Sequence, residues 1–232
     1  MKIEGPLLEA IFIERPNRFI TIVEIEGKKY QSHLADPGRL KELLIPGAEL
    51  LVRSAPNNSD RKTKYSTIMV RQEGQLISLV SALPNKFVKE ALQKNEIPIF
   101  EGFTLVKPEV SIGRHRFDFL LNDPKGSDFF LEVKSVTFVQ DSIAQFPDAV
   151  TERGAKHAFA LKKLVEEGER AGILFVCQRP DAQSFQPMWR RDPKLARAVL
   201  DAHRSGVHVW CITLNVSETE MTYNKEIPVN LE

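Results

Sequence analysis

The sequence predicts an α/β chain, α+β overall, in two parts. Residues 1–82 read as a small OB-type β-barrel, and residues 83–232 as a mixed sheet flanked by helices. Three observations carry this. Short runs rich in Ile, Val and Leu crowd residues 7–81, separated by turn residues. After Leu83 strand patterns alternate with helical ones. The composition, 42% hydrophobic and 27% charged over 232 residues, is that of a globular chain rather than a disordered or collagen-like one.

The barrel strands are expected at Leu8–Arg15, Arg18–Glu26, Lys29–Leu34, Ala48–Arg53, Lys64–Arg71 and Gln75–Ser81. A helix is expected between the third and fourth, because Asp36 suits an N-cap, Pro37 the first helical position, and Ile45-Pro46-Gly47 a stop. Three strands, a helix and further strands is the order of an OB barrel, whose loops between strands 1–2 and 4–5 bind oligonucleotides or oligosaccharides. Both loops are basic. The first contains Arg15 and Arg18, the second Arg61, Lys62 and Lys64 against one acid, Asp60. Clustered cations are what a phosphate backbone requires, although loops are also commonly charged and merely solvated.

Beyond the barrel, a helix is expected over Lys86–Lys94, then strands at Thr104–Ile112, Arg116–Leu121 and Phe129–Phe138. A long helix should run from about Ala149 to Glu167, followed by a strand at Gly172–Cys177 and a loop rich in Arg and Pro. Asp192-Pro193 opens a last helix ending at Ser205-Gly206, and Val207–Leu214 closes the pattern.

Lys and Arg number 32 against 31 for Asp and Glu, so any basic surface must be local. Cys177 and Cys211 form neither a disulfide framework nor a zinc spacing, which suits a reducing compartment. The N-terminus has no signal-like apolar run, and no apolar stretch reaches the roughly 18 residues of a membrane helix. A cytoplasmic protein without a membrane partner is expected.

The candidate chemistry lies at Asp118 and Glu132-Val133-Lys134. Residues two apart share a strand face, so Glu132 and Lys134 point the same way from a run that is apolar on both sides. Charges in such a strand are paired, bind a metal or face a cleft, because burying them alone is very costly. If Leu121 pairs with Phe129 across the turn Asn122–Asp128, Asp118 lies directly opposite Glu132, with Cβ atoms about 5 Å apart. If Gly113-Arg114 is a two-residue turn, Glu109 falls beside Asp118. Adjacent carboxylates call for a divalent cation, and Mg²⁺ or Mn²⁺ held by such acids can activate a water against a phosphate. Lys134 would orient that water and offset developing charge. A structural ion pair is the competing explanation. Arg153 and His157, four apart on the long helix, share a face; phosphate contact is favoured for Arg153 and ordinary packing for His157.

Several blocks resemble the sugar fermentation stimulation protein family. They are Arg116-Phe117-Asp118-Phe119, Leu131-Glu132-Val133-Lys134-Ser135-Val136, and the segment from Phe146-Pro147-Asp148 through Thr151-Glu152-Arg153-Gly154 to His157. His33-Leu34-Ala35-Asp36-Pro37-Gly38-Arg39-Leu40 and Leu83-Pro84-Asn85 extend the likeness over nearly the whole chain. The resemblance implies an OB-fold followed by a PD-(D/E)XK nuclease-like domain, nonspecific DNA binding, and a regulatory role in sugar metabolism. It implies active-site positions at Asp118, Glu132 and Lys134, with Glu109 as a fourth. The family commonly has Ser-Arg where this chain has His115-Arg116; His115 should point away from Asp118 and affect catalysis little. The expectation is therefore a divalent-metal-dependent nuclease acting on nucleic acid, DNA ahead of RNA. A binding-only regulator on a nuclease scaffold, or an enzyme for a small phosphorylated or sugar substrate, are the alternatives. Oligomeric state is not indicated.

Overall fold

A computed structural model describes residues 1–56 and 62–232. The first part is a closed barrel. Strands β1 (Leu8–Asn17), β2 (Ile20–Ile25) and β3 (Lys28–Leu34) form a meander, and β4 (Glu49–Ser54) and β5 (Tyr65–Gln72) follow. β4 pairs with β1, and a parallel β3–β5 pairing closes the ring at five strands. The short β6 (Gln75–Ser78) is the expected sixth run; it forms a hairpin with β5 outside the closure. Phe12, Val23, Leu34, Leu50, Val52 and Val70 fill the interior.

Closure is held by more than backbone pairing. The hydroxyls of Thr21, Ser32 and Thr67 are fully buried, with Thr67 Oγ1 at 2.8 Å from both Thr21 Oγ1 and Ser32 Oγ. These three residues sit on β2, β3 and β5, across the closing seam.

The expected helix over residues 36–45 does not form. Its cap contact does: the Gly38 amide donates to Asp36 Oδ1 at 2.7 Å. Leu40, however, has a left-handed φ of 51°, which stops the helix within its first turn. The Leu40 amide is drawn instead to Asp148 Oδ2 at 2.6 Å, and Leu43 and Leu44 turn back to bond the Leu40 carbonyl. Leu40, Leu43 and Leu44 are thereby buried as an apolar plug for the barrel.

Helix α1 (Leu83–Lys94) leads into a six-stranded sheet. Its strands are β7 (Thr104–Ile112), β8 (His115–Asn122), β9 (Asp128–Val136), β12 (Arg170–Cys177), β14 (His208–Val216) and β15 (Met221–Ile227), in the order β15-β14-β12-β9-β8-β7. β9 and β12 lie at the centre, as the doubly apolar run of β9 predicts for that strand. A second small sheet joins β10 (Val139–Gln140), β11 (Ile143–Phe146) and β13 (Ser184–Pro187). It occupies segments that carry no strand signal in the sequence, and it brings Phe146-Pro147-Asp148 back over the end of β9.

Helices α2 (Glu152–Glu166) and α3 (Pro193–Arg204) cover one face of the large sheet. α2 starts three residues later than expected, at the N-cap Thr151, whose Oγ1 accepts from the Gly154 amide at 3.1 Å. Asp192 caps α3 through Leu195 and also accepts the Thr151 amide at 2.8 Å, so one carboxylate anchors both helix starts. The opposite face packs against α1 and against Leu51, Ile68 and Met69 of the barrel in a single core. Barrel and sheet are thus fused through shared apolar contacts. Among the described residues no helix is long and apolar enough to cross a membrane.

Thr67→Val should remove the Ser32 hydroxyl's hydrogen bond and leave the Thr21 hydroxyl only its 3.4 Å contact to the Ser32 carbonyl in a dry seam. Urea unfolding should show a loss of about 1–3 kcal/mol, the usual cost of orphaned buried polar groups.

Candidate active site at the end of β9

The β8–β9 register is the one expected from the turn: Leu121 pairs with Phe129, Leu120 with Phe130, and Phe119 with Leu131. There the ladder ends. Asp118 and Glu132 do not form a further backbone pair; Asp118 Oδ2 instead accepts the Val133 amide at 2.7 Å. Two residues apart on β8, Phe117 packs in the α2-side core and Phe119 in the α1-side core, so the strand rolls over at Asp118. Opposite this roll, Glu109 has a left-handed φ of 54°.

Glu132 is buried, at 3% exposure. The Lys134 ammonium and His157 Nδ1, the latter at 2.5 Å, both bond the same oxygen, Oε1. Burial alone would push the Glu132 carboxyl up; the hydrogen bond from His157 and the charge of Lys134 outweigh it and hold the group below its ordinary value. Glu132 Oε2 is left buried without a hydrogen-bond partner. Asp118 is pushed up to about 6, first by desolvation and then by the charge of Glu132, against the Val133 amide, Lys134 and a hydrogen bond with the Asn85 side chain. Two carboxylates therefore compete for one stable negative charge.

A partnerless buried carboxylate oxygen beside a second carboxylate forced upward is the environment that a divalent cation relieves, so the donor set fits one. Among the described residues no cluster of three or more His, Cys, Asp or Glu is assembled for a metal. Two carboxylates suit a hard ion that keeps waters and is completed by a substrate phosphate, rather than a closed protein cage.

The acids open onto a cleft of about 500 Å³. Asp118, Glu132 and Lys134 lie on its floor, Arg18 and residues 36–38 and 40 on its barrel side, and residues 146–151 with Arg153 on the far side. The structure thus brings Asp118, Glu132, Lys134, Arg18 and Arg153 together. Arg153 is exposed, with Nε 3.5 Å from His157 Nε2.

Four expectations need correction. Glu109 does not join the acids: its side chain is 67% exposed and pairs with Arg116 at 3.7 Å, because the irregular backbone at Glu109 interrupts the row. Arg15 is not a free cation. Its guanidinium bonds the carbonyls of Arg18, Arg39 and Asp36 at 2.6, 2.7 and 3.0 Å and so braces the loop that carries Arg18. Lys62 and Lys64 are exposed but remote. Asn17 pairs with Ile20 at one end of β1, while Leu8 pairs with Val52, and Ser54 with Tyr65, at the other. Arg18 and Lys64, each next to a strand end, thus stand near opposite ends of a strand up to roughly 30 Å long, at about 3.3 Å per residue. Arg61 lies outside the described residues. Lastly, His157 is more than a packing residue, since it holds Glu132. His115 faces that side too, its ring 6.2 Å from that of His157.

Asp148 and Asn85 carry no role in the expectations. The signal for Asp148 is its place in the Phe-Pro-Asp segment; a short turn cannot reveal that it reaches Leu40 of the barrel and, through Oδ1, Arg191 at 2.9 Å.

The comparisons agree with this architecture. The family model for the SfsA N-terminal OB domain matches residues 13–79, and that for the sugar fermentation stimulation protein RE domain matches residues 82–220. A sugar fermentation stimulation protein homolog of Moorella thermoacetica is 39% identical over the full length of both chains. One from Chloroflexus aurantiacus is 40% identical over 97% of this chain and 86% of its own. The structure of Pyrococcus furiosus SfsA, in complex with Ca²⁺, superposes with a TM-score of 0.89 at 30% identity, covering 99% of this chain and 98% of that one.

Above its ordinary range, the Asp118 carboxyl makes the folded protein bind more protons than the unfolded chain between about pH 4 and pH 6. Its contribution to stability is fully present below that window and lost as pH rises through about 6. Asp118→Asn, assayed by urea unfolding in EDTA, should match the parent near pH 4 and exceed it above pH 7. The gain should be about 3 kcal/mol, from about 1.4 kcal/mol per pKa unit over the rise from 3.8 to about 6.

Proposed function

This chain belongs to the sugar fermentation stimulation protein family, and from that premise we propose that it is a divalent-metal-dependent nuclease, cleaving phosphodiester bonds in the cleft between barrel and sheet. DNA is the favoured substrate, on the resemblance. The observation that carries the proposal is the buried, partnerless Glu132 Oε2 beside the elevated Asp118 carboxyl. The Ca²⁺ complex of the Pyrococcus furiosus relative supports a divalent ion in this family.

In this mechanism Asp118 and Glu132 would hold Mg²⁺ or Mn²⁺. The ion, when bound, lowers the pKa of a water and offsets charge on the attacked phosphate. The Val133 amide fixes the Asp118 carboxylate, and the Asn85 side chain braces it further. His157 and Lys134 bond Glu132 through Oε1 only, which leaves Oε2 without a hydrogen-bond partner and available to such an ion. Lys134 also stands where an ammonium can orient the attacking water and neutralise the charge that develops on the phosphate. Arg18 and Arg153, on opposite sides of the cleft, suit the flanking phosphates.

Incubation of the purified chain with DNA and RNA, each single- and double-stranded, in Mg²⁺, Mn²⁺ or EDTA tests this. Cleavage is expected with the metals and not with EDTA. Asp118→Asn and Lys134→Ala should each reduce the rate by at least about 100-fold, the scale of losing one transition-state contact. Nucleic-acid binding with no cleavage under any metal would favour the regulator without turnover.

A further inference from the structure

The cleft has a shape that selects among nucleic acids, and the selection rests on the nuclease site proposed above. Its volume of about 500 Å³ accommodates a group the size of an ordinary small ligand, one or two nucleotides at most. Its barrel side and its far side are bridged, because the Leu40 amide donates to Asp148 Oδ2 at 2.6 Å. At that bridge the Gly38 backbone lies so close to the Asp148 side chain that a Cβ added to Gly38 would be 2.9 Å from the same oxygen. A paired duplex is a rigid cylinder whose major groove alone is about 12 Å wide. A cleft of this volume, bridged from Leu40 to Asp148, suits an unpaired strand better than such a cylinder.

The β1–β2 turn, whose Arg18 lines the cleft, carries a second, independent feature. Phe19, next in the chain to Arg18, is 49% exposed. Its backbone is held firmly: the Phe19 amide donates to Asn17 Oδ1 at 2.9 Å, and the Phe19 carbonyl accepts the Leu34 amide at 2.9 Å. Arg15 locks the adjoining Arg18 carbonyl at 2.6 Å. The loop is therefore a rigid mount for one exposed ring and one exposed guanidinium, and the guanidinium lines the cleft. A π-face beside a cation is the recurring device for gripping single strands without sequence preference.

We propose that Phe19 and Arg18 form a stacking and phosphate platform that admits single-stranded nucleic acid, and not intact duplex, to the cleft. One unpaired base stacks on Phe19, its phosphate meets Arg18, and the strand continues toward Asp118, Glu132 and Arg153.

Fluorescence anisotropy in EDTA tests this apart from any cleavage, using labelled oligo(dT), oligo(rU) and a blunt DNA duplex of equal length. At least one single strand should bind about tenfold or more tighter than the duplex, and the two arms identify DNA or RNA as its source. Phe19→Ala should weaken single-strand binding about tenfold, the scale of one lost base stack, and leave duplex binding unchanged. Phe19→Trp should restore it. Duplex affinity equal to that of both single strands, no single-strand binding, or an unchanged affinity in Phe19→Ala would overturn the proposal. The expected binding pattern without cleavage in Mn²⁺ would count against the nuclease reading alone and sustain the strand preference.

Discussion

Glu132 is a carboxylate buried in the central strand of a sheet, and the rest of the cleft is arranged around keeping it charged there. Desolvation opposes the anion. Lys134 answers from the same strand face, two residues on, and His157 answers from α2. For His157 to reach, α2 must begin at one particular height above β9. That height is set by the Thr151 cap and by Asp192, which ties the starts of α2 and α3 together. Both partners take Oε1, so the arrangement stabilises the anion and still leaves Oε2 without a partner. A structural ion pair would normally satisfy both oxygens; a ligand site leaves one open.

A second constraint positions the barrel. Residues 36–40 are not free to form a helix, because their backbone groups are taken up by Arg15 on one side and Asp148 on the other. The same Asp148 binds Arg191. Together with the core shared by Leu51, Met69, Phe87 and Leu131, this sets the barrel against the end of β9. The cleft is a consequence of that docking rather than a property of either part alone. Burial and the neighbouring Asp148 charge also keep Asp36 elevated, to about 6, against its hydrogen bond from Gly38 and the nearby Arg15.

Much of this was legible in the chain. The strand order of the barrel, the central position of β9 and the pairing of Leu121 with Phe129 follow from alternation, apolar runs and turn residues. These are short-range signals, and nothing later in the fold overrides them. Asp118, Glu132 and Lys134 stand out as candidates because charges in doubly apolar strands are conspicuous. What could not be read depends on contacts distant in sequence or on single irregular residues. Asp36-Pro37 has good helix-start chemistry, yet a left-handed Leu40 and a bond 108 residues away in sequence decide the outcome. Ideal pairing across β7 and β8 puts Glu109 beside Asp118, and one positive φ at Glu109 breaks the row. Arg15 and Arg18 look equivalent in a short basic turn, but only one faces the cleft. His157 looked ordinary because a helix face does not announce which strand it covers.

The central claim is that Asp118 and Glu132 are a cation site and not an ion-pair remnant. Calorimetric titration of Mn²⁺ into the full chain at neutral pH tests it most directly. The account predicts one ion bound per chain, and loss of that binding in Asp118→Asn. Absence of binding by the parent chain, even with an oligonucleotide present, would contradict it.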